Sequence, residues 1–322
     1  MKNTISRRDM INSSAVALFG ILIGCKNKVT INEASVQKDK LPFKISLNTS
    51  TIRAYNLTID EQINMVADAG FDGIELWIRD VQGFLDKGGK SSEIKGLLQD
   101  RNLHLDNMIG FSQWCSENNE NREKAVIQMR DEMLLTAELG GQFIAAPFQG
   151  VPTLDKTKFD EYTARYLRIL KIAEETGVVP IIELWGHGVF HSLADCAQLV
   201  IATGHPKASM LLDFYHLYRG GNSWETLDYI NGAKLPVIHI NDYPSSPERE
   251  QLKDSDRVFP GDGICPFNQV LPRLYHAGFR GSLSVELFNQ GYWDTMNAKE
   301  ILEQSYKKTY DVIQNAMIGI NS

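Results

Sequence analysis

Basic residues are in short supply in this 322-residue chain: 33 Lys and Arg stand against 40 Asp and Glu, a formal net charge of −7. That deficit, with no basic stripe anywhere, argues against nucleic acid as a partner, because phosphate backbones select clustered Lys and Arg. Cysteine is scarce as well, limited to Cys25, Cys115, Cys196 and Cys265. Nothing spaces these as a zinc site, and the three beyond Cys25 cannot all pair, so disulfides are not what holds the domain together. They are expected as small buried residues. Long apolar runs are missing too. Ala15 to Ile23 is apolar but too short to cross a bilayer as a helix, and no Gly-rich phosphate loop follows the first candidate strand.

What the front of the chain does contain is a delivery signal. Lys2, Arg7 and Arg8 make a basic start ahead of the short apolar run. Ser6 to Ile11 resembles a twin-arginine export signal, and Leu22-Ile23-Gly24-Cys25 resembles a bacterial lipobox, in which cleavage precedes a lipid-bearing cysteine. The expectation is a signal peptide over 1–24, a lipidated Cys25 with a polar tether over 25–41, and a catalytic domain over 42–322. An ordinary cleaved signal with an incidental cysteine is the alternative. Without residues 1–24 the chain keeps 30 basic and 39 acidic residues, a charge of −9. The resulting picture is an exported protein of the bacterial periplasm or cell envelope, held at the membrane by lipid and not crossing it.

The remainder has the size of a single (β/α)8 barrel. Candidate strands are Phe43–Asn48, Gly73–Trp77, Leu103–Ile109, Gln142–Pro147, Val178–Leu184, Ser209–Asp213, Pro236–Ile240 and Ser282–Leu287. Most are aliphatic without strict alternation, as suits parallel strands covered on both faces. Between them lie amphipathic helical stretches. Thr58 with Glu61 forms a capping box, and Ser192 with Asp195 is a shorter version. Gly70, Gly140, Gly177, Gly204 and Gly278 each follow a helical run, where a left-handed residue ends a helix. The fold class is α/β, and the repeated helix–Gly–strand join favours the barrel over a doubly wound sheet.

Four of these runs finish on a metal-seeking side chain: Val178 to Glu183, Met210 to Asp213, Pro236 to His239 and Leu283 to Glu286. A carboxylate closing a buried run is costly unless something cationic receives it. Four such ends at βα spacing point to one shared divalent ion. The order Glu183, Asp213 with His216, His239 with Asp242, Arg257 with Pro260-Gly261, then Glu286, resembles the xylose isomerase-like barrel superfamily. Its members include sugar isomerases and epimerases, and also endonuclease IV. Ser46-Leu47-Asn48 and Gly70 to Leu76 resemble the family's first two strands.

That resemblance implies a set of roles. Glu183, Asp213, His239 and Glu286 would ligate one divalent ion; three carboxylates and an imidazole suit Mn2+, Mg2+, Co2+ or Zn2+. Glu183 and Glu286 would also be catalytic, passing a proton through a metal-stabilised enediolate. His216 and Arg257 would bind substrate, with Arg249 as a competitor to Arg257, because Pro244 to Asp256 reads as an inserted loop. Glu75, His187 and Asp242 complete the substrate-binding set as rim or supporting groups. Trp77, Trp114 and Trp185 fall near strand ends and are candidates to stack on a sugar face.

The function so implied is isomerisation or epimerisation of a small carbohydrate. Exported compartments are poor in phosphorylated metabolites, so the substrate is expected to be a non-phosphorylated sugar or keto-sugar. The same enediolate would serve a lyase- or hydrolase-type cleavage of 3-keto-glycosides, and the sequence does not separate the two. Endonuclease IV chemistry ranks lower: it needs additional histidines at the second and third strand ends, where Trp77 and Met108-Ile109 stand. A non-catalytic sugar-binding lipoprotein is the remaining alternative, and association into a homo-oligomer stays open.

Overall fold

The computed structural model describes residues 41–318. The expected signal peptide and Cys25 lie outside the described residues, as does all of the tether except Leu41. Eight strands close in sequential order into a parallel barrel. They are β1 (Lys44–Asn48), β2 (Gly73–Trp77), β3 (His104–Ile109), β4 (Phe143–Pro147), β5 (Val179–Glu183), β6 (Met210–Asp213), β7 (Val237–Ile240) and β8 (Ser282–Val285). Every expected strand is present, and the barrel reading of the fold holds.

The helices that follow the strands are α1 (Ile59–Asp68), α2 (Ile78–Asp86), α3 (Ser91–Asp100), α4 (Asn119–Leu139) and α5 (Phe159–Thr176). After them come α6 (Leu193–Ala202), α7 (Phe214–Arg219), α8 (Phe267–His276), α9 (Gln290–Thr295) and α10 (Ala298–Ala316). The Thr58 box forms as expected, with Thr58 N donating to Glu61 Oε2 at 2.8 Å. Only half of the Ser192 box forms. Ser192 Oγ accepts from Asp195 N at 3.3 Å, but the Asp195 carboxylate turns to Lys156 Nζ at 2.9 Å. The five helix-ending glycines all take positive φ, from 60° at Gly204 to 93° at Gly278. Cys115, Cys196 and Cys265 are free and buried. Among the described residues, no helix is long and apolar enough to cross a membrane.

The two faces of the strands differ. Ile45, Leu47, Ile74, Leu76, Leu283 and Val285 are at most 1% exposed, each burial contributing about 1.5–3 kcal/mol. The alternate positions include Ser46, Asn48, Glu75, Asn107, Asp213, His239 and Ser284, all fully buried and polar. Barrel interiors are ordinarily filled by branched aliphatic side chains, so this polar lining needs partners inside the ring. Register supplies them. Asp213 pairs with His239 across β6 and β7, and His239 with Ser284 across β7 and β8. Asn48 pairs with Glu75 across β1 and β2, and Glu75 with Asn107 across β2 and β3.

Candidate functional site

His239 is the centre of the constellation. Its imidazole is fully buried, and Nδ1 has no hydrogen-bond partner among the described residues. Around that nitrogen lie Glu286 Oε2 at 3.2 Å, Asp213 Oδ2 at 3.6 Å and Glu183 Oε1 at 3.7 Å. Asp213, His239 and Glu286 each offer a ligand atom within 4.8 Å of the other two, while Glu183 meets the trio through His239. All four residues sit within one residue of the carboxyl ends of β5 to β8, the face where barrel enzymes build their sites.

The opposite side of the ring is held by Glu75. Its Oε1 lies 3.2 Å from His239 Nε2, and its Oε2 accepts from Asn107 Nδ2 at 2.7 Å. A carboxylate at Nε2 keeps a proton there, so that a cation displacing the Nδ1 proton meets that nitrogen's lone pair, the usual support for a ligating imidazole. The sequence reading grouped Glu75 with the substrate-binding residues. The structure puts it beneath His239, fully buried and away from the cavity, so it positions the imidazole.

Asp242 likewise takes the supporting place. Its carboxylate accepts from the backbone N–H groups of Tyr243, Gly261, Gly263 and Cys265 at 2.8–3.0 Å. The three from Gly261, Gly263 and Cys265 fasten the turn that follows Arg257, and the side chain is fully buried. Asp242 shapes the loop and is not among the residues that line the cavity above the acids.

Arg257 does reach the site, and Arg249 does not. Only 1% of the Arg257 side chain is exposed. Its Nη1 donates to Asp213 Oδ2 at 2.8 Å and to Glu286 Oε2 at 2.5 Å, and Nη2 donates to Asp254 Oδ1 at 2.7 Å. Arg249 pairs on the surface with Glu250 at 2.7 Å. Arg257 Nη2 also faces His216 Nε2 at 3.2 Å. A guanidinium can only donate, so Nε2 accepts and the His216 proton sits on Nδ1. That atom is buried and has no protein partner. Burial lowers the His216 pKa to about 3, so the ring presents a neutral N–H.

The charge balance is one-sided. Glu75, Glu183, Asp213 and Glu286 are all buried, against a single guanidinium. Burial alone would depress His239, yet the Glu286 and Glu75 carboxylates hold it well above the ordinary imidazole range. Burial, reinforced by the Glu286 charge and countered by His239, pushes Glu183 up to about 8. Burial would also raise Asp213, but Arg257 and His216 keep it well below the usual carboxylate range. Such a cluster calls for added positive charge. A divalent cation fits the donor set, with the unpartnered Nδ1 of His239 as its nitrogen.

Above the acids opens a cavity of about 360 Å3, near the lower end for small-molecule sites. Glu183, Glu286, His216 and Arg257 line its floor. Trp77, Phe111, Trp185 and Phe288 line it with aromatic surface, and His187 and Arg53 complete the wall with charge and polarity. Trp77 and Trp185 are thus where a sugar face would need them. Trp114 is not: it is fully buried, and its Nε1 donates to Pro147 O at 3.1 Å. His104 opens β3 at the other end of the barrel, whereas Trp77 and Ile109 occupy the strand ends where an endonuclease IV-type cluster would need histidines.

Several members of the site carried no assignment in the sequence. Asn48 Nδ2 donates to Glu286 Oε1 at 2.9 Å while its Oδ1 accepts from Trp77 Nε1 at 2.8 Å. Asn241 Nδ2 donates to Asp213 Oδ2 at 3.1 Å. Both are polar residues at or just past an apolar strand, the same signal that marked the acids. Asp254 and Ser255 enter the cavity from the inserted loop, where nothing in the pattern distinguishes them.

Comparison with known proteins agrees with this architecture. The model of the xylose isomerase-like TIM barrel family matches residues 63–313. An inosose isomerase of Halalkalibacterium halodurans is 26% identical over 267 residues, spanning 79% of this chain and 93% of that protein. A 3-dehydroshikimate dehydratase of Pseudomonas putida is 23% identical over 239 residues, 73% of this chain and 37% of that protein. Among solved structures, an IolI protein with a bound zinc atom superimposes with a TM-score of 0.76 at 23% identity, covering 85% of this chain and 99% of that one. With most of its length inside the family match, and its strand-end acids gathered on one rim of the barrel, the chain belongs to the xylose isomerase-like TIM barrel family.

Proposed function

We propose that this protein is a divalent-metal-dependent isomerase or epimerase of a small, non-phosphorylated keto-sugar or keto-polyol. The observation that carries the reading is the unpartnered His239 Nδ1, ringed by three carboxylates at the floor of a monosaccharide-sized cavity. Glu183, Asp213, His239 and Glu286 are the residues that would hold the ion. When bound, it supplies positive charge to substrate oxygens as a carbon-bound proton leaves.

The chain's own residues do the rest. Glu183 and Glu286 come from the ends of β5 and β8, with two strands between them, and so face a ligand from different sides. One takes the proton from the carbon next to the carbonyl, and the other returns it. Asn48 and Arg257 hold the Glu286 carboxylate in place. His216 donates Nδ1–H to a substrate oxygen, and the rings of Trp77 and Trp185 cover the apolar face of the sugar. Similarity to inosose isomerases supports this class of reaction.

A lyase reading has a specific observation in its favour, the similarity to 3-dehydroshikimate dehydratases. The same base removes the same proton, and a group β to the carbonyl then departs. 3-Keto-glycosides are the corresponding cleavable sugars. The test is deuterium uptake from D2O by a panel of ketoses, keto-polyols and 3-keto-glycosides, with mass analysis of products. An intact deuterated isomer supports the isomerase and a released β-substituent supports the lyase. Neither uptake nor a released substituent from any member with metal-replete protein refutes both. We also infer an exported, lipid-anchored protein from the twin-arginine and lipobox motifs, which predicts metabolic labelling by palmitate that Cys25→Ala abolishes.

A further inference from the structure

The loop from Asn241 to Pro266, between β7 and α8, is tied down at both ends. Asp242 and Val258 exchange backbone hydrogen bonds at 2.9 and 3.0 Å. Leu252 is buried, and its carbonyl accepts from Tyr215 Oη at 3.0 Å and Arg219 Nε at 3.1 Å. Held in this way, the loop turns Asp254 and Ser255 into the cavity. Asp254 spends one oxygen on Arg257, its side chain remains 42% exposed, and its second oxygen has no partner among the described residues. The Asp254 carboxylate lies with the imidazoles of His187 and His216, their ligand atoms within 4.8 Å of one another.

Two chemical readings of that trio are available. A second cation is disfavoured by the Arg257 guanidinium, which already sits 2.7 Å from Asp254 and 3.2 Å from His216. A wall of hydrogen-bonding groups for a polyhydroxylated ligand suits it better. The buried Nδ1–H of His216 donates and the open oxygen of Asp254 accepts. Charge then decides which ligands are tolerated. Arg257 is already matched by Asp213, Glu286 and Asp254, so it has no charge left for a substrate anion. Arg53, the other cation lining the cavity, is exposed to water and stacks over Phe288 and Trp293 at 4.8 and 5.5 Å; water and salt screen it.

We propose that Asp254 sets the substrate class: its carboxylate accepts hydrogen bonds from the hydroxyls of an uncharged keto-polyol and repels ligands that carry a carboxylate or phosphate at that end. The inference rests on the isomerase or lyase reading of the same cavity and adds to it a specificity-determining residue.

The test compares two cyclic ketones of similar size, uncharged 2-keto-myo-inositol and the carboxylate 3-dehydroshikimate. Binding to the full chain is followed through quenching of the cavity tryptophans. Wild type is expected to favour the uncharged ketone by at least about tenfold, and Asp254→Asn to narrow that ratio by about tenfold, the effect of losing one charge-assisted hydrogen bond. Glu250→Gln, on the same loop but paired with Arg249 outside the cavity, changes the net charge equally and is expected to leave the ratio alone. The proposal is overturned by an unchanged ratio in Asp254→Asn, by an equal change in Glu250→Gln, by a wild-type preference for the carboxylate, or by no binding of the uncharged ketone. Deuterium uptake by ketoses and substituent release from 3-keto-glycosides separate the failures. If either persists while the ratio fails, only the Asp254 assignment falls; if both are missing, the parent reading falls with it.

Discussion

Replacing Glu75 with Gln changes one atom of the interior and leaves the shape of the side chain intact. In the wild type Glu75 Oε2 accepts from His239 Nε2 and from Asn107 Nδ2, with distances of 3.3 and 2.7 Å. A glutamine can present an N–H to Nε2 instead, which drives the imidazole proton to Nδ1 and removes the lone pair aimed at Glu183, Asp213 and Glu286. Loss of such outer support weakens metal binding by about 10–100-fold, or roughly 1.4–2.7 kcal/mol. The assay is calorimetric titration of chelator-stripped protein with Mn2+ and Zn2+, paired with thermal unfolding with and without metal. Wild type is expected to gain about 2.7 kcal/mol of apparent stability at a metal concentration 100 times its Kd. At the same concentration, Glu75→Gln should lose half or more of that gain. Equal Kd values for the two proteins, with the variant folded, would refute the claim that Glu75 orients a metal-ligating His239.

Other perturbations probe the remaining links. Glu286→Gln should keep the fold and lower turnover by about 10^2–10^4, the range for a lost acid–base group; deuterium exchange into substrate is the measurement, and unchanged exchange would remove Glu286 from the proton path. Asp242→Ala strips the acceptor from four backbone N–H groups and should destabilise by roughly 3 kcal/mol or more, read by denaturant unfolding. Asp106 is different in kind. Burial raises its pKa to about 6, so its contribution to stability is fully present below about pH 4, the unfolded carboxyl range, and is lost as pH rises through 6. Asp106→Asn should therefore raise the melting temperature at pH 7–8 relative to wild type, by the equivalent of up to about 2–3 kcal/mol, with little gain near pH 4. A constant difference across that window would contradict the assignment.

Much of this molecule is legible in one dimension. Most of the β-strands announce themselves as short runs rich in aliphatic residues, because both faces are buried and the residue types that survive there are few. The helix ends at Thr58, Gly177 and Gly278 are local events, decided by a hydroxyl or a missing Cβ within a turn of the residue concerned. Glu183, Asp213, His239 and Glu286 could be singled out by the same logic, since an ionisable group closing an apolar run is out of place unless something receives it.

What the sequence could not decide is which polar groups face one another. Glu75 and Asp242 look like the other strand-associated acids. Ring closure sends Glu75 beneath His239, a partner 164 positions away, whereas the backbone of the following turn takes up all of Asp242. Asn48 and Asn107 gain their roles only through cross-strand register. Trp114 and Trp185 are equally aromatic, yet one packs inside and the other lines the cavity. The inserted loop is the clearest case. Its composition is that of any polar loop, and Asp254 enters the site only because Leu252 is buried and tied to Tyr215 and Arg219. Alternation and capping are short-range properties written into neighbouring residues, but a charge acquires its meaning from whatever lies within a few ångströms of it, and closure of the barrel chooses those neighbours.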